Sequence, residues 1–497
     1  MKIFGYSISK ILQLVFLILS VSVILFAGLK IHWGLSLIIG IIPLIIASSL
    51  FIASSPYWIF ISLFIFNYFI MGLTRYLPGL KGGVTMDLLI LFIIASLIIN
   101  KINPKTKYNW NRVNNPMTYS ILIWVFYCFL QLFNPESVSS QAWYTGARAM
   151  SLYIIIIYII SILIINNYKK VKRIIFIWSI LTILAFIKVL IQKNFGFDFA
   201  EKRWLYVDGG ARTHIIYSGI RYFSFFTDAS TFGCSMGFSF VTFLISAFGQ
   251  KNQKHKIYYI FVALIALYSM FQSGTRVAIA IPFVGIASYL VLSKRVKIIL
   301  IFGGLLIFMF VFFKYTNIGE GNSTIRRART AFNPNEDASF LVRKNNQEKM
   351  KIYMVNKPFG IGIGLSASRA HKYGSYTKLS EIPTDSWMVL IWIETGIVGL
   401  CLYIGFLLFI LVYCAYIIMF KLKNQELRQY MMGLYGGIAG LMVSNYAAEA
   451  FTQFPNGFIV YIGLAMISIS PYFDKEIEEK EQKEKEIVEG SKQFTAL

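Results

Sequence analysis

The chain has 497 residues, 57% of them hydrophobic and 14% charged, with 47 Lys and Arg against 23 Asp and Glu for a formal charge of +24. Such a composition excludes a soluble globular protein, since helices that satisfy their own backbone hydrogen bonds are what cross hydrocarbon. The positive charge is not a nucleic-acid signature, because it is spread over many loops and gathers in no separate basic domain.

Fourteen apolar stretches follow in chain order: 11–29, 34–53, 57–73, 86–99, 117–133, 150–165, 174–191, 231–248, 257–271, 277–292, 298–313, 387–420, 429–447 and 457–472. Each approaches the ~20 residues needed to span a core of ~30 Å. The sequence therefore predicts an all-α polytopic membrane protein with about 14 transmembrane helices, 12 or 13 if the tight early hairpins fail to cross. The first stretch exceeds the ~7–15 residues of a signal-peptide core and is read as a retained helix. The run 387–420 is too long for one straight span. It is expected to approach near the surface over 387–394, bend at Gly396 and Gly399, and cross from Leu400.

Orientation follows from basic residues in short loops. Lys101, Lys105, Lys107 and Arg112 share one connection, and Lys169, Lys170, Lys172 and Arg173 another; Lys251, Lys254, Lys256, then Lys294, Arg295, Lys297, then Lys421, Lys423, Arg428 follow. All fall on one side if every stretch crosses once, which predicts both termini in the cytoplasm. The opposite side carries two long loops, 192–230 and 314–386. The chain thus divides into N-terminal helices (1–190), a core (191–473) and a charged tail (474–497). The tail holds eight acids and five lysines and is expected to be solvated, as a frayed helix or disordered. The second long loop is itself basic, with eleven Lys and Arg against six Asp and Glu over 315–385, which suits either solubility and attraction to anionic headgroups or, the reading preferred, an anionic substrate.

Several chemistries lack their residues. There is no phosphate-binding loop ending in Gly-Lys-Ser/Thr, and Gly360-Ile-Gly-Ile-Gly364 has no strand–helix context, so it is read as a turn where backbone packs closely. The four histidines (His32, His214, His255, His371) have no paired spacing and no Asp-x-Asp clamp is present, so neither metal nor cofactor is expected. Cys128, Cys234, Cys401 and Cys414 are isolated on apolar stretches and read as small apolar residues.

What remains on the loop side is arginine. Arg221 opens Arg-Tyr-Phe-Ser-Phe-Phe-Thr-Asp-Ala-Ser, Arg276 ends Ser-Gly-Thr-Arg, and Arg343 lies in a polar segment before the glycine run. Asp385 stands in Pro-Thr-Asp-Ser-Trp, ahead of Glu394 and Gly396. Each arginine alone reads as a helix-end or ion-paired residue. Together they suit a pyrophosphate, which the guanidinium fork binds in two-pronged fashion.

These elements resemble the O-antigen polymerase and ligase superfamily of bacterial membrane glycosyltransferases. Four motifs carry the likeness: Arg-x-x-small-x-Phe at Arg221, Ser-x-Ser/Thr-Arg at Ser273 to Arg276, the Pro-x-Gly-x-Gly turn from Pro358, and the run through Thr384-Asp385-Ser386 to Leu400. They stand in the family's order and cover about 190–410. The ligases of the family carry a His-Asn-like pair where this chain has Thr384-Asp385-Ser386, a departure that favours the polymerase branch, although His371 is near in sequence.

The resemblance implies a fold like that of GT-C glycosyltransferases, in the bacterial plasma membrane. It implies undecaprenyl-pyrophosphate-linked oligosaccharides as donor and acceptor, with membrane lipids and a chain-length regulator protein as further partners. Transfer is expected to be metal-independent and inverting, with Arg221 and Arg276 stabilising the departing pyrophosphate and Asp385 as base. Arg343, Arg212, His371, Arg369 and Glu394 are expected on the substrate, and His371, Glu394 and Glu449 are the alternative bases. Two competing readings are a ligase and a flippase for the same lipids. A flippase is disfavoured because charges sit at helix ends or in loops, with Asp87 and Lys188 the main exceptions.

Overall fold

The computed structural model describes residues 2–3, 6–7 and 56–495, apart from 78, 103–107, 217–218, 295, 320, 322, 331, 333–337 and 374–376. The predicted stretches 11–29 and 34–53 lie outside the described residues. The other twelve are all helical, in α1 (Pro56–Tyr76), α2 (Gly82–Ile102), α3 (Pro116–Leu130), α4 (Ser140–Ile164), α5 (Tyr168–Asn194), α7 (Ala229–Ala247), α8 (Gln253–Gln272), α9 (Ala280–Ser293), α10 (Val296–Tyr315), α13 (Trp387–Tyr416), α14 (Gln425–Ser444) and α15 (Asn456–Thr495). The long loops hold further helices, among them α6 (Phe199–Tyr206), α11 (Ser323–Thr330) and α12 (Ala338–Met354), with three shorter ones at Ala211–His214, Ala367–His371 and Lys378–Glu381. Nine helical segments among the described residues are long and apolar enough to cross a membrane. The protein is an all-α polytopic membrane protein; its described strands are two pairs of two residues each.

The described residues fall into two compact units, one within 1–64 and 83–108, the other within 65–82 and 109–497. The second unit is organised around α7, which is buried along nearly its whole length. Small residues let its neighbours come close. A Cβ on Gly433 of α14 would stand 2.6 Å from the Thr242 carbonyl oxygen, and one on Gly436 would stand 2.9 Å from that of Gly285 on α9.

Four helices that start at the lysine-rich end open on asparagine. The side chains of Asn115, Asn167, Asn252 and Asn424 accept from the backbone N–H of Thr118, Lys170, Lys254 and Leu427 at 2.8 to 3.1 Å. An amide caps the exposed N–H groups there while leaving the loop's positive charge intact.

The tail is more ordered than its composition suggests. α15 runs unbroken to Thr495, and Asp474, buried, accepts from the backbone N–H groups of Lys423 and Asn424 at 3.0 and 2.8 Å. Glu476 accepts from the Tyr168 N–H at 3.1 Å. The first tail acids therefore cap two loops at the lysine-rich end, which corrects the expectation of a wholly solvated segment.

The second long loop is folded because it has its own apolar core. Met350 and Met354 of α12 pack with Ile361, Leu365 and Leu379 against Ala142 of α4 and Val389 and Ile393 of α13.

Candidate active site

Four structural elements meet at the end of the bundle that carries the long loops. The first is the turn between α8 and α9. Gly274 adopts φ +56°, a conformation that glycine takes without strain. The Ser273 hydroxyl accepts from the Thr275 N–H at 3.1 Å, and the Thr275 hydroxyl donates to the Ala229 carbonyl at 2.9 Å. The turn presses onto α7 where Gly233 leaves room: a Cβ there would lie 2.2 Å from Ser273 Oγ. Arg276 leads directly out of this turn.

The second element is the loop 195–228. Arg75, at the end of α1, lies 4.3 Å from the Trp204 ring and 4.4 Å from that of Phe223, and donates to the carbonyls of Phe226 and Thr227. Lys188 pairs with Asp198 and Glu201 at 2.8 and 2.9 Å, so this cation within α5 serves to hold the loop. Asp228 caps α7, accepting from the N–H groups of Ser230 and Thr231 at 2.7 and 2.8 Å. His214 is buried, and its Nε2 accepts from the Ala229 N–H at 3.0 Å, which leaves Nδ1 to carry the proton and donate to the Gly210 carbonyl. Burial lowers its pKa to about 4, so the ring is neutral at pH 7.

Arg221 joins these two elements. Its guanidinium donates to Thr213 O at 3.0 Å, to Ser273 O at 3.3 Å and to the Thr275 hydroxyl at 3.0 Å. Burial lowers its pKa, the nearby Asp228 carboxylate raises it, and the positive charge of Arg276 lowers it again. The two arginines are thus electrostatic neighbours.

The third element is the junction of α13 and α14. Asp385 precedes α13 at φ +46°, where a residue with a side chain is strained. Its position is fixed by its neighbours: the Ser386 hydroxyl and the Trp387 N–H both donate to the Asn445 carbonyl, at 3.2 and 3.1 Å. The fourth element is α11 with α12, which contribute Arg327 and Arg343.

Together these elements enclose a cavity of about 940 Å³. Arg221, Arg276, Arg327 and Arg343 line it, and among the described residues Asp385 is the one carboxylate that joins them. Phe283, Phe332, Phe340 and Val443 give it an apolar side, and Phe332 is stacked on Phe313 of α10 with ring centroids 5.5 Å apart. Cations beside an apolar wall suit an anion carried on a lipid.

The glycine run explains how the loop wall is attached. α13 breaks at Gly396, which has φ +72° and ψ −174°, one of the two positions where the bend was expected. The break frees backbone groups, and the loop supplies their partners. The N–H groups of Ile361 and Gly362 donate to the carbonyls of Ile393 and Glu394 at 2.9 and 3.1 Å, and the Val398 N–H donates to Pro358 O at 3.2 Å. Tyr127 donates to Thr395 O at 2.8 Å. A Cβ on Gly396 would stand 2.0 Å from the Pro358 oxygen, so the two backbones touch without side chains between them.

The other residues singled out in the sequence stand apart from the cavity wall. Glu394 is buried and accepts from the Ser366 hydroxyl at 2.5 Å, tying the loop to the broken helix. Arg369 pairs with Glu449 at 3.3 Å on the surface, and His371 lies 3.0 Å from the Ser380 hydroxyl through Nε2. Arg212 is exposed on the loop 195–228. Arg75, Thr213 and Tyr446, which shape or line the site, carry no motif that would single them out. The described residues hold no group of three His, Cys, Asp or Glu suited to a metal ion.

A family model described as O-Antigen ligase matches residues 261–404, the segment with the 273–276 turn, the second long loop and Asp385. An O-antigen polymerase of Salmonella muenchen is 23% identical over 356 residues, covering 67% of this chain and 82% of that protein.

Proposed function

The chain belongs to the O-antigen polymerase and ligase superfamily, and from that membership we propose that it is a polysaccharide polymerase. It joins undecaprenyl-pyrophosphate-linked oligosaccharide repeat units by metal-independent, inverting transfer. The cavity end of the bundle faces outward from the bacterial plasma membrane, where such units are joined, and both termini lie in the cytoplasm.

The observation that carries this reading is convergence. Arg221, Arg276, Arg343 and Asp385 come from separate parts of the chain and line one cavity. An acceptor hydroxyl attacks the anomeric carbon of the donor, and the bond from that carbon to pyrophosphate breaks. The electron pair leaves on the phosphate oxygen, and the hydroxyl proton passes to the Asp385 carboxylate. Arg221, Arg276 and Arg343 stabilise the charge that develops on the leaving group. The phenylalanine wall receives the first isoprene units of the carrier.

The polymerase is favoured over the ligase because no histidine among the described residues lines the cavity, and His371 is engaged at Ser380. The test is the glycan of a deletion strain. A polymerase leaves single repeat units on the carrier or final acceptor; long chains stranded on the isoprenoid lipid would point to a ligase and defeat the proposal.

A further inference from the structure

The arginines of α11 divide their tasks. Arg329 is buried, donates to Ile318 O at 2.6 Å and lies 5.6 Å over the Phe312 ring, which fixes the helix. Arg326 is exposed, and Arg327 lines the cavity. The Arg327 guanidinium lies flat on the 273–276 turn: Nη1, Cζ and Nε are 3.2, 3.3 and 3.3 Å from where a Cβ of Gly274 would stand. Near-equal distances from three atoms mean that its face, not its edge, meets the turn. The glycine thus brings an arginine of the second long loop against the same turn that carries Arg276.

We propose that Arg327 is a further anion-binding residue, matched to the charge that appears as the sugar leaves. This rests on the function proposed above. In the donor, both phosphates are esterified on each side and share two negative charges. When the bond to the anomeric carbon breaks, its electron pair stays on the terminal phosphate oxygen, which gains one unit of charge; the acceptor proton goes to Asp385. The product, a lipid diphosphate, is therefore more anionic than the donor. Arg327 binds that product and the transition state resembling it more strongly than the donor, and so acts on the rate of transfer rather than on donor affinity.

The test uses the full chain, purified in lipid nanodiscs, with a polyprenyl-diphosphate-linked repeat unit as substrate. Polyprenyl diphosphate and polyprenyl monophosphate serve as inhibitors. Arg327→Ala is expected to lower kcat by about 100-fold, the loss typical of a removed oxyanion contact, with little change in KM. Inhibition by the diphosphate weakens about tenfold, a loss of about 1.4 kcal/mol, while inhibition by the monophosphate stays the same. Arg327→Lys recovers part of the rate and shows that the loop has folded. Wild-type kcat and diphosphate inhibition in Arg327→Ala would overturn the inference, as would an equal loss in Arg326→Ala, which removes a neighbouring charge outside the cavity. Arg276→Ala separates the two layers. If it is inactive while Arg327→Ala is unaffected, only this inference fails; if it stays active, the function proposed for the cavity fails.

Discussion

The two sides of the cavity are built on different principles. Arg221 and Arg276 stand on turns clamped to the buried helix α7, and Arg221 alone makes three hydrogen bonds to its surroundings. Arg327, Arg343 and Asp385 stand on or beside the second long loop, which is joined to α13 through backbone bonds at a broken turn. The first side is held rigid before any ligand arrives, as the proposed anion site requires. The second reaches the cavity only as far as the loop docks, so a change far from the chemistry can remove it.

The largest effect is expected on the clamped side. Arg276→Ala should abolish polymer formation, a loss of at least about 100- to 1000-fold, with the protein still inserted at normal levels. Arg276→Lys should not restore it, since an ammonium keeps the charge and loses the planar fork. Arg221→Ala should match it. Glycan ladders on gels together with membrane protein levels measure this. A wild-type ladder from Arg276→Ala cells would remove the anion site from the account.

Docking of the loop side is tested at Gly396. An added methyl meets the Pro358 oxygen at 2.0 Å and places a side chain at φ +72°. Gly396→Ala should cost about 3 kcal/mol, read as a lowered unfolding temperature of the purified protein, together with loss of activity. Unchanged stability would show that the two backbones need not touch.

A pH effect of similar ceiling belongs to the clamped side. His214 has a folded pKa of about 4 against an ordinary value of 6.5, because burial disfavours the charged ring. The unfolded chain takes up the proton first as pH falls. The stability is therefore intact above about pH 6.5 and is lost progressively towards pH 4, by about 3 kcal/mol at most. His214→Gln, which keeps an acceptor for the Ala229 N–H, should flatten the unfolding temperature over that range. A variant with the wild-type slope would assign the effect to another group.

The smallest effect is expected at the exposed edge of the loop. Arg369→Ala breaks a surface pair with Glu449, worth about 1 kcal/mol or less. Activity should stay within about threefold of wild type. A large loss would place Arg369 on the substrate, as the sequence alone suggested.

Much of the architecture was legible from simple physical signals. Apolar runs located twelve described helices, the overlong run 387–420 required a bend, and Gly396 and Gly399 were the residues able to make one. The structure uses Gly396. The glycine turn at 360–364 was legible as a close approach, but its partner was not, because sequence spacing does not say which helix will break to receive it. The convergence of Arg221, Arg276, Arg343 and Asp385 was expected from charge and motif. Arg75 was invisible: a helix-end arginine looks the same whether it meets water or lies against Trp204 and Phe223. Glu394 misled for the opposite reason, since a lone carboxylate near a motif suggests substrate, yet it is buried on Ser366. Asp474 and Glu476 lie in a segment whose composition suggests solvent, and their capping of neighbouring loops depends on distant backbone.

The central claim is that both sides of the cavity act together on a lipid-linked diphosphate. The most direct measurement incubates the purified chain with a polyprenyl-diphosphate-linked repeat unit in the presence of a chelator and resolves the products by size. The account predicts a ladder of two, three and more units from the wild type, and only the single unit from Arg276→Ala. A ladder from Arg276→Ala, or a wild-type ladder that disappears when divalent cations are removed, would contradict it.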